Sequence, residues 1–144
     1  MAHKGPIILV EDDEEDQLFI KEALEKLKVD NELIIFEEGV QALGYLNATN
    51  QRPFLILCDI NMPKMNGLQL RMEINQSDYL RKKSIPFIFV STAANKEDIE
   101  KAYDLTVQGY FQKKHSFESL VEMLKLIVDY WEECKHPNAF VSRS

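Results

Sequence analysis

Four short, unbroken apolar runs constrain this chain more than any other feature: Ile7 to Val10, Leu33 to Phe36, Phe54 to Cys58 and Phe87 to Val90. Three of them open directly after a proline, at Pro6, Pro53 and Pro86. Runs this short, bounded by turn residues, read as strands buried on both faces. Tyr110-Phe111, after Gly109, is a weaker fifth. Helical spacing fills the gaps. Phe19, Ile20, Ala23, Leu24 and Leu27 form one stripe, and Val40, Leu43, Tyr45 and Leu46 a second. Leu68, Leu70, Met72 and Ile74 suggest a third, and Ile99, Ala102, Tyr103 and Thr106 a fourth. Phe117, Leu120, Val121, Leu124, Val128 and Trp131 mark a long fifth helix, stopped by Pro137. Five strands alternating with five helices predict an α/β fold, a doubly wound parallel sheet with helices on both faces and right-handed connections.

The 144 residues suit one domain. Acidic residues outnumber basic ones, 24 to 17, for a formal charge of −7. Such a domain is a poor general binder of nucleic acid or anionic lipid, so neither is expected as a partner. Cys58 and Cys134 make no disulfide framework, and Cys58 lies inside an apolar run. Free thiols of this kind suit a reducing, cytoplasmic setting. No apolar stretch approaches the length of about 18 residues that a membrane helix needs.

In a parallel sheet, ligands bind beyond the carboxyl ends of the strands, where the strand order reverses. The residues following each run therefore matter most. The first run is followed by six acids, Glu11 to Asp16. Glu14, Glu15 and Asp16 suit the first turn of a helix, with Asp13 as its N-cap. Glu11 and Asp12 abut the apolar run instead, which places them at the mouth of the sheet. Asp59 ends the third run. Three carboxylates in one crevice repel unless neutralised, and a divalent cation with oxygen ligands, Mg2+ above all, answers that need. The fourth run ends in Ser91-Thr92 and the fifth strand in Lys113-Lys114. Acids, a carboxylate nucleophile, a hydroxyl and an ammonium together form the set that phosphoryl transfer to a carboxylate requires.

Four blocks in order carry a resemblance: Ile-Leu-Val-Glu11-Asp12-Asp, Leu-Cys-Asp59-Ile-Asn61-Met-Pro63-Lys-Met-Asn-Gly67, Val-Ser91-Thr92-Ala and Gly109-Tyr110-Phe-Gln-Lys113. The sequence resembles the receiver domain of two-component response regulators, in the single-domain form typified by the chemotaxis regulator. The resemblance implies a flavodoxin-like sheet of order 2-1-3-4-5 with five helices. It implies a receiver domain over residues 7–135, between an arm at 1–6 and a tail at 136–144. Asp59 looks like the phosphoacceptor. Glu11, Asp12, Asp59 and the main-chain carbonyl of Asn61 would bind Mg2+, and Pro63 and Gly67 would shape the loop after Asp59. Ser91 matches the switch hydroxyl, Tyr110 the switch aromatic, and Lys113 joins Ser91 in contacting the phosphoryl group. The family usually places a proline in a cis peptide after this lysine, where the chain has Lys114.

The expected function is that of a stand-alone response regulator. A sensor histidine kinase or phosphotransfer protein donates a phosphoryl group to Asp59, and the face of the fourth helix, fifth strand and fifth helix responds by protein contact or relay. The acidic motif resembles that of small regulators paired with phytochrome-type kinases. Two rival readings are a pseudo-receiver acting as a constitutive interaction module and an aspartate-nucleophile phosphatase. The first would have lost its acids, which are intact. The second would want an acid where Asn61 stands. No glycine-rich loop follows the first strand, as a nucleotide binder would require. Met123, Leu126 and Tyr130 form a second apolar set on the fifth helix, a possible homodimer face.

Overall fold

The structure, a computed structural model, describes residues 5–135, so the expected tail lies outside the described residues. Strands β1 (Ile7–Val10) and β2 (Leu33–Phe36) coincide with the first two runs, and β3 (Leu55–Cys58), β4 (Phe87–Ser91) and β5 (Gly109–Gln112) match the other three to within a residue at each end. They form one parallel sheet in the order β2-β1-β3-β4-β5. The helices are α1 (Glu14–Lys26), α2 (Gly39–Ala48), α3 (Gly67–Gln76), α4 (Asp78–Lys82), α5 (Lys96–Asp104) and α6 (Phe117–Glu133).

Alternation along each strand divides the apolar residues between two layers. Ile8, Val10, Ile56, Cys58, Phe87 and Phe89 face Ala42, Leu46, Leu70, Ile74 and Ala102, the buried sides of α2, α3 and α5. Ile7, Leu9, Leu55, Leu57, Ile88 and Val90 face Ile20, Ala23, Leu24, Leu120, Leu124 and Val128, on α1 and α6. Each fully buried aliphatic or aromatic side chain contributes about 1.5–3 kcal/mol, which fixes the strand register. The flavodoxin-like architecture implied by the sequence is the one observed.

Several local expectations need correction. Among the described residues there are six helical segments, because Ser77 ends α3 and its side chain caps α4 by accepting from the Leu80 N–H. The expected fourth and fifth helices are therefore α5 and α6. β2 is half-buried along its length, not buried on both faces, because it is an edge strand. Phe19, Val40 and Tyr103, expected on apolar helix stripes, are exposed, and on α3 Met72 is exposed while Leu70 and Ile74 are buried. Thr106 lies past the end of α5 in a left-handed conformation, φ 60°. On α6 the buried face is Leu120, Met123, Leu124, Ile127 and Val128. Met123 is thus a core residue, 5% exposed, and cannot belong to a dimer face. Ile127 and Met123 shift the centre of the buried arc by about 40° from the expected stripe, leaving Leu126 and Tyr130 outside it.

One contact anchors the end of α5. Arg71 on α3 is buried, and its guanidinium donates to the carbonyls of Leu105 (3.1 Å) and Thr106 (3.0 Å), while Asn75 Nδ2 donates to Leu105 O at 2.8 Å. These carbonyls are the electron-rich terminus of the helix, so the cation replaces hydration there.

Candidate functional site

The parallel ladder runs one residue past three strands and so places the site. The Glu11 N–H donates to Phe36 O at 2.9 Å, the Asp59 N–H to Val10 O at 3.0 Å, and the Lys113 N–H to Ser91 O at 2.9 Å. Glu11, Asp59 and Lys113 therefore leave the sheet together at its carboxyl edge. Val10 pairs with Cys58 in register, so Glu11 and Asp59 emerge side by side.

Glu11 is 1% exposed and Asp59 7%. Asp59 Oδ1 accepts from the Ile60 N–H at 2.7 Å, and its Oδ2 lies 3.3 Å from Lys113 Nζ. The same ammonium is 2.9 Å from Glu11 Oε1 and 2.6 Å from Asp16 Oδ2. Glu11 Oε2 accepts from the Asp13 N–H at 3.1 Å. Burial pushes the Glu11 carboxyl up from 4.5 to about 7; the hydrogen bonds from Lys113 and Asp13 oppose this, and the charge of Asp59 adds to it. Burial works against the Lys113 ammonium, but its bonds to Asp16 and Glu11 outweigh that and raise its pKa above the ordinary lysine value.

Carboxylate oxygens of Glu11, Asp12 and Asp59 lie within 4.8 Å of one another. One ammonium cannot neutralise three carboxylates, and the Glu11 carboxyl, raised first by burial, is raised further by the charge of Asp59 beside it. All-oxygen donors at this spacing fit a hard divalent cation. Asn61 sits two residues past Asp59 in an exposed loop. Gly67 closes the loop: its N–H donates to Ile60 O at 2.9 Å. A Cβ there would lie 2.3 Å from the Asp59 carbonyl oxygen, so only glycine permits this approach.

The remaining residues form a second layer at β4 and β5. Ser91 is fully buried, and its Oγ accepts from the Ala93 N–H at 3.2 Å. Tyr110 is half-buried against Phe89, with ring centroids 5.9 Å apart, and its hydroxyl donates to Ala93 O. No cis peptide occurs among the described residues, so the Lys113–Lys114 bond is trans, and Lys113 still reaches Asp59. The structure thus brings together Glu11, Asp12, Asp59 and Lys113, with Ser91 and Tyr110 linked beside them through Ala93. Leu126 and Tyr130 lie apart from the site, exposed on α6. Asp16 was not among the expected site residues. Its distance of 97 positions from Lys113 leaves no trace in local spacing.

Sheet order, strand-end acids and an apposed lysine define a class, and the chain belongs to it: residues 7–125 match the response regulator receiver domain, the phosphorylation switch of two-component signalling. The chain is 35% identical over 132 residues to the response regulator Rcp1 of Synechocystis sp., covering 88% of each protein. It is 30% identical over 122 residues to the chemotaxis protein CheY1 of Helicobacter pylori, covering 85% of this chain and 95% of that one. Among solved structures, the phosphorylated cyanobacterial phytochrome response regulator RcpA superposes with a TM-score of 0.83 at 34% identity, over 92% of this chain and 98% of that one. The Mn2+-bound form of Rcp1 gives 0.80 at 33% identity, over 92% and 99%. Among the described residues, no helix is long and apolar enough to cross a membrane.

Proposed function

We propose that this chain is a stand-alone response regulator that accepts a phosphoryl group on Asp59 from the phosphohistidine of a sensor histidine kinase or a phosphotransfer protein. The observation that carries this reading is the placement of Asp59 at the end of β3, with Lys113 Nζ 3.3 Å from one oxygen and two further carboxylates alongside. An Asp59 oxygen attacks phosphorus, the P–N bond breaks, and its electron pair returns to the imidazole. The product is an acyl phosphate. The work left to the protein is positioning and neutralising charge on the equatorial oxygens. Lys113 offers its ammonium to one of them, and the Ser91 hydroxyl becomes a second partner once it leaves the Ala93 N–H.

Glu11, Asp12 and Asp59, with the carbonyl of Asn61, would hold Mg2+. That ion supplies the positive charge that the buried acids lack and screens the incoming phosphoryl group. The existence of an Mn2+-bound form of Rcp1 supports divalent-ion binding by this chain. The relatives named as phytochrome response regulators support a phytochrome-type kinase as donor. Output runs through α5, β5 and α6, since Tyr110 on β5 and Ala93 before α5 are hydrogen-bonded.

Incubation with a small-molecule phosphodonor and Mg2+ tests the acceptor. The parent chain takes up one phosphoryl group by intact mass, and Asp59→Asn takes up none. Equal labelling of that variant removes the assignment.

A further inference from the structure

Asp16 is the acid closest to the Lys113 ammonium, at 2.6 Å, against 2.9 Å for Glu11 and 3.3 Å for Asp59. The three acids differ in what else they can do. Glu11 and Asp59 belong to the group whose oxygens converge within 4.8 Å, and Asp16 does not. A divalent ion drawn to that group competes with Lys113 for Glu11 and Asp59, and the two cations repel. Asp16 alone keeps its oxygens for the lysine.

Both ends of this contact are anchored. Asp16 lies in the first turn of α1, whose N-cap Asp13 accepts from its N–H at 3.4 Å, and α1 is packed on the sheet by Ile20, Ala23 and Leu24. The Lys113 N–H is held by Ser91 O. Between them runs only the flexible four-carbon stem of the lysine. Glu14 and Glu15 stand in the same turn and are exposed, whereas Asp16 is half-buried and turned toward the site. A general preference for acids at a helix start does not distinguish the three; the ammonium does.

We propose that Asp16 is a positioning residue for phosphoryl transfer, holding Lys113 Nζ at the rim of the Asp59 crevice while a divalent ion occupies Glu11 and Asp59. The inference rests on the reading of Asp59 as acceptor. It assigns Asp16 no contact with the phosphoryl group; Asp16 acts through Lys113.

The test uses the full chain, phosphoramidate and Mg2+, with phosphorylation rates from intact mass and the Lys113 ammonium followed by 15N NMR. Asp16→Asn keeps the side-chain shape and removes the charge. Loss of one charge-assisted bond slows phosphorylation about ten-fold, and the ammonium signal broadens into solvent exchange. Asp16→Glu restores most of the rate. In a Lys113→Met background, Asp16→Asn has no further effect, because a residue acting through another is silent once that partner is gone. Parent-like rates in Asp16→Asn, or the same slowing in both backgrounds, overturn the inference. An unlabelled parent refutes the acceptor reading instead. The ammonium spectrum with Mg2+ and no donor then decides the Asp16–Lys113 link separately, and a signal unchanged in Asp16→Asn overturns it.

Discussion

Ser91 and Tyr110 hold one residue between them: Ser91 Oγ accepts from the Ala93 N–H at 3.2 Å, and the Tyr110 hydroxyl donates to Ala93 O at 2.5 Å. The serine cannot leave for a phosphoryl oxygen without freeing the Ala93 N–H, and Ala93 is the residue that Tyr110 reads. Two states of this small unit give a population shift its mechanical element. Tyr110→Phe removes only the second bond. It is expected to cost about 1 kcal/mol, to leave the phosphorylation rate near the parent's, and to shrink the amide shifts of residues 93–98 on phosphorylation. Chemical-shift mapping with a phosphodonor checks this, and an undiminished response in Tyr110→Phe would falsify the coupling.

The pH response follows from Glu11. Its carboxyl titrates near 7 in the fold and near 4.5 unfolded. Below 4.5 both states hold the proton. Between 4.5 and about 7 the folded state keeps a proton that the unfolded chain releases, so stability falls as pH rises. The loss is on the order of 3 kcal/mol, complete above the folded value. Lys113 is shifted upward as well, but far above this window: its stabilising contribution is fully present below 10.5 and is lost only as pH climbs through its raised folded value, so it is flat from about pH 5 to 8. Urea melts in chelator from about pH 5 to 8 should therefore show declining stability, and Mg2+ should flatten the decline by binding the ionised native state. Asp12→Ala should respond to Mg2+ much less. A stability that rises with pH in chelator would contradict the assignment.

Much of this fold was legible because β1, β3 and β4 are buried on both faces and advertise themselves as unbroken apolar runs. The site was legible for the same reason: Glu11, Asp59 and Lys113 each stand next to a strand, where the ladder carries them to one edge. What escaped reading is tertiary. Asp16 looked like any acid in a helical first turn until β5 brought Lys113 beside it. The phase of α6 was misjudged because its apolar residues spread widely around the helix, and only packing on β1, β3 and β4 selects Met123 and Ile127 over Leu126 and Tyr130. Arg71 interrupts an apolar helix face in sequence, and its purpose appears only where α5 ends against it.

The reassignment of Met123 can be measured directly. Met123→Ala empties a core site and is expected to cost about 2–5 kcal/mol. Leu126, 62% exposed, tolerates Leu126→Glu within about 0.5 kcal/mol. Equal destabilisation by the two changes would reverse the assignment. Leu126 and Tyr130 border a cavity of about 290 Å³ with Phe111 and Trp131. For this smaller patch we propose a second copy of the chain as occupant. Light scattering should then give a dimer that Leu126→Glu dissociates, and a parent monomeric at every concentration, phosphorylated or not, removes the dimer.

Gly67 and Gly44 make a paired prediction with opposite signs. Both lie in helices, and replacing glycine by alanine in an open helix position stabilises by about 0.4–1 kcal/mol through the unfolded chain. Gly44 has nothing within 4 Å of an added Cβ, so Gly44→Ala should raise the melting temperature. At Gly67 the same methyl meets the Asp59 carbonyl oxygen at 2.3 Å and a Phe89 ring carbon at 2.7 Å. The oxygen is backbone and the ring belongs to the packed core, so neither yields cheaply, and the start of α3 must move away from Asp59. A cost of about 1–3 kcal/mol is expected, as for overpacking elsewhere. The displaced segment includes the loop carrying Asn61, so Mg2+ affinity and the rate of Asp59 phosphorylation should fall in Gly67→Ala and stay at parent values in Gly44→Ala. Titration of Mg2+ against the melting temperature, with phosphorylation rates on the same samples, reads both effects. A Gly67→Ala protein as stable and as readily phosphorylated as the parent would mean that the close approach of α3 to Asp59 is dispensable.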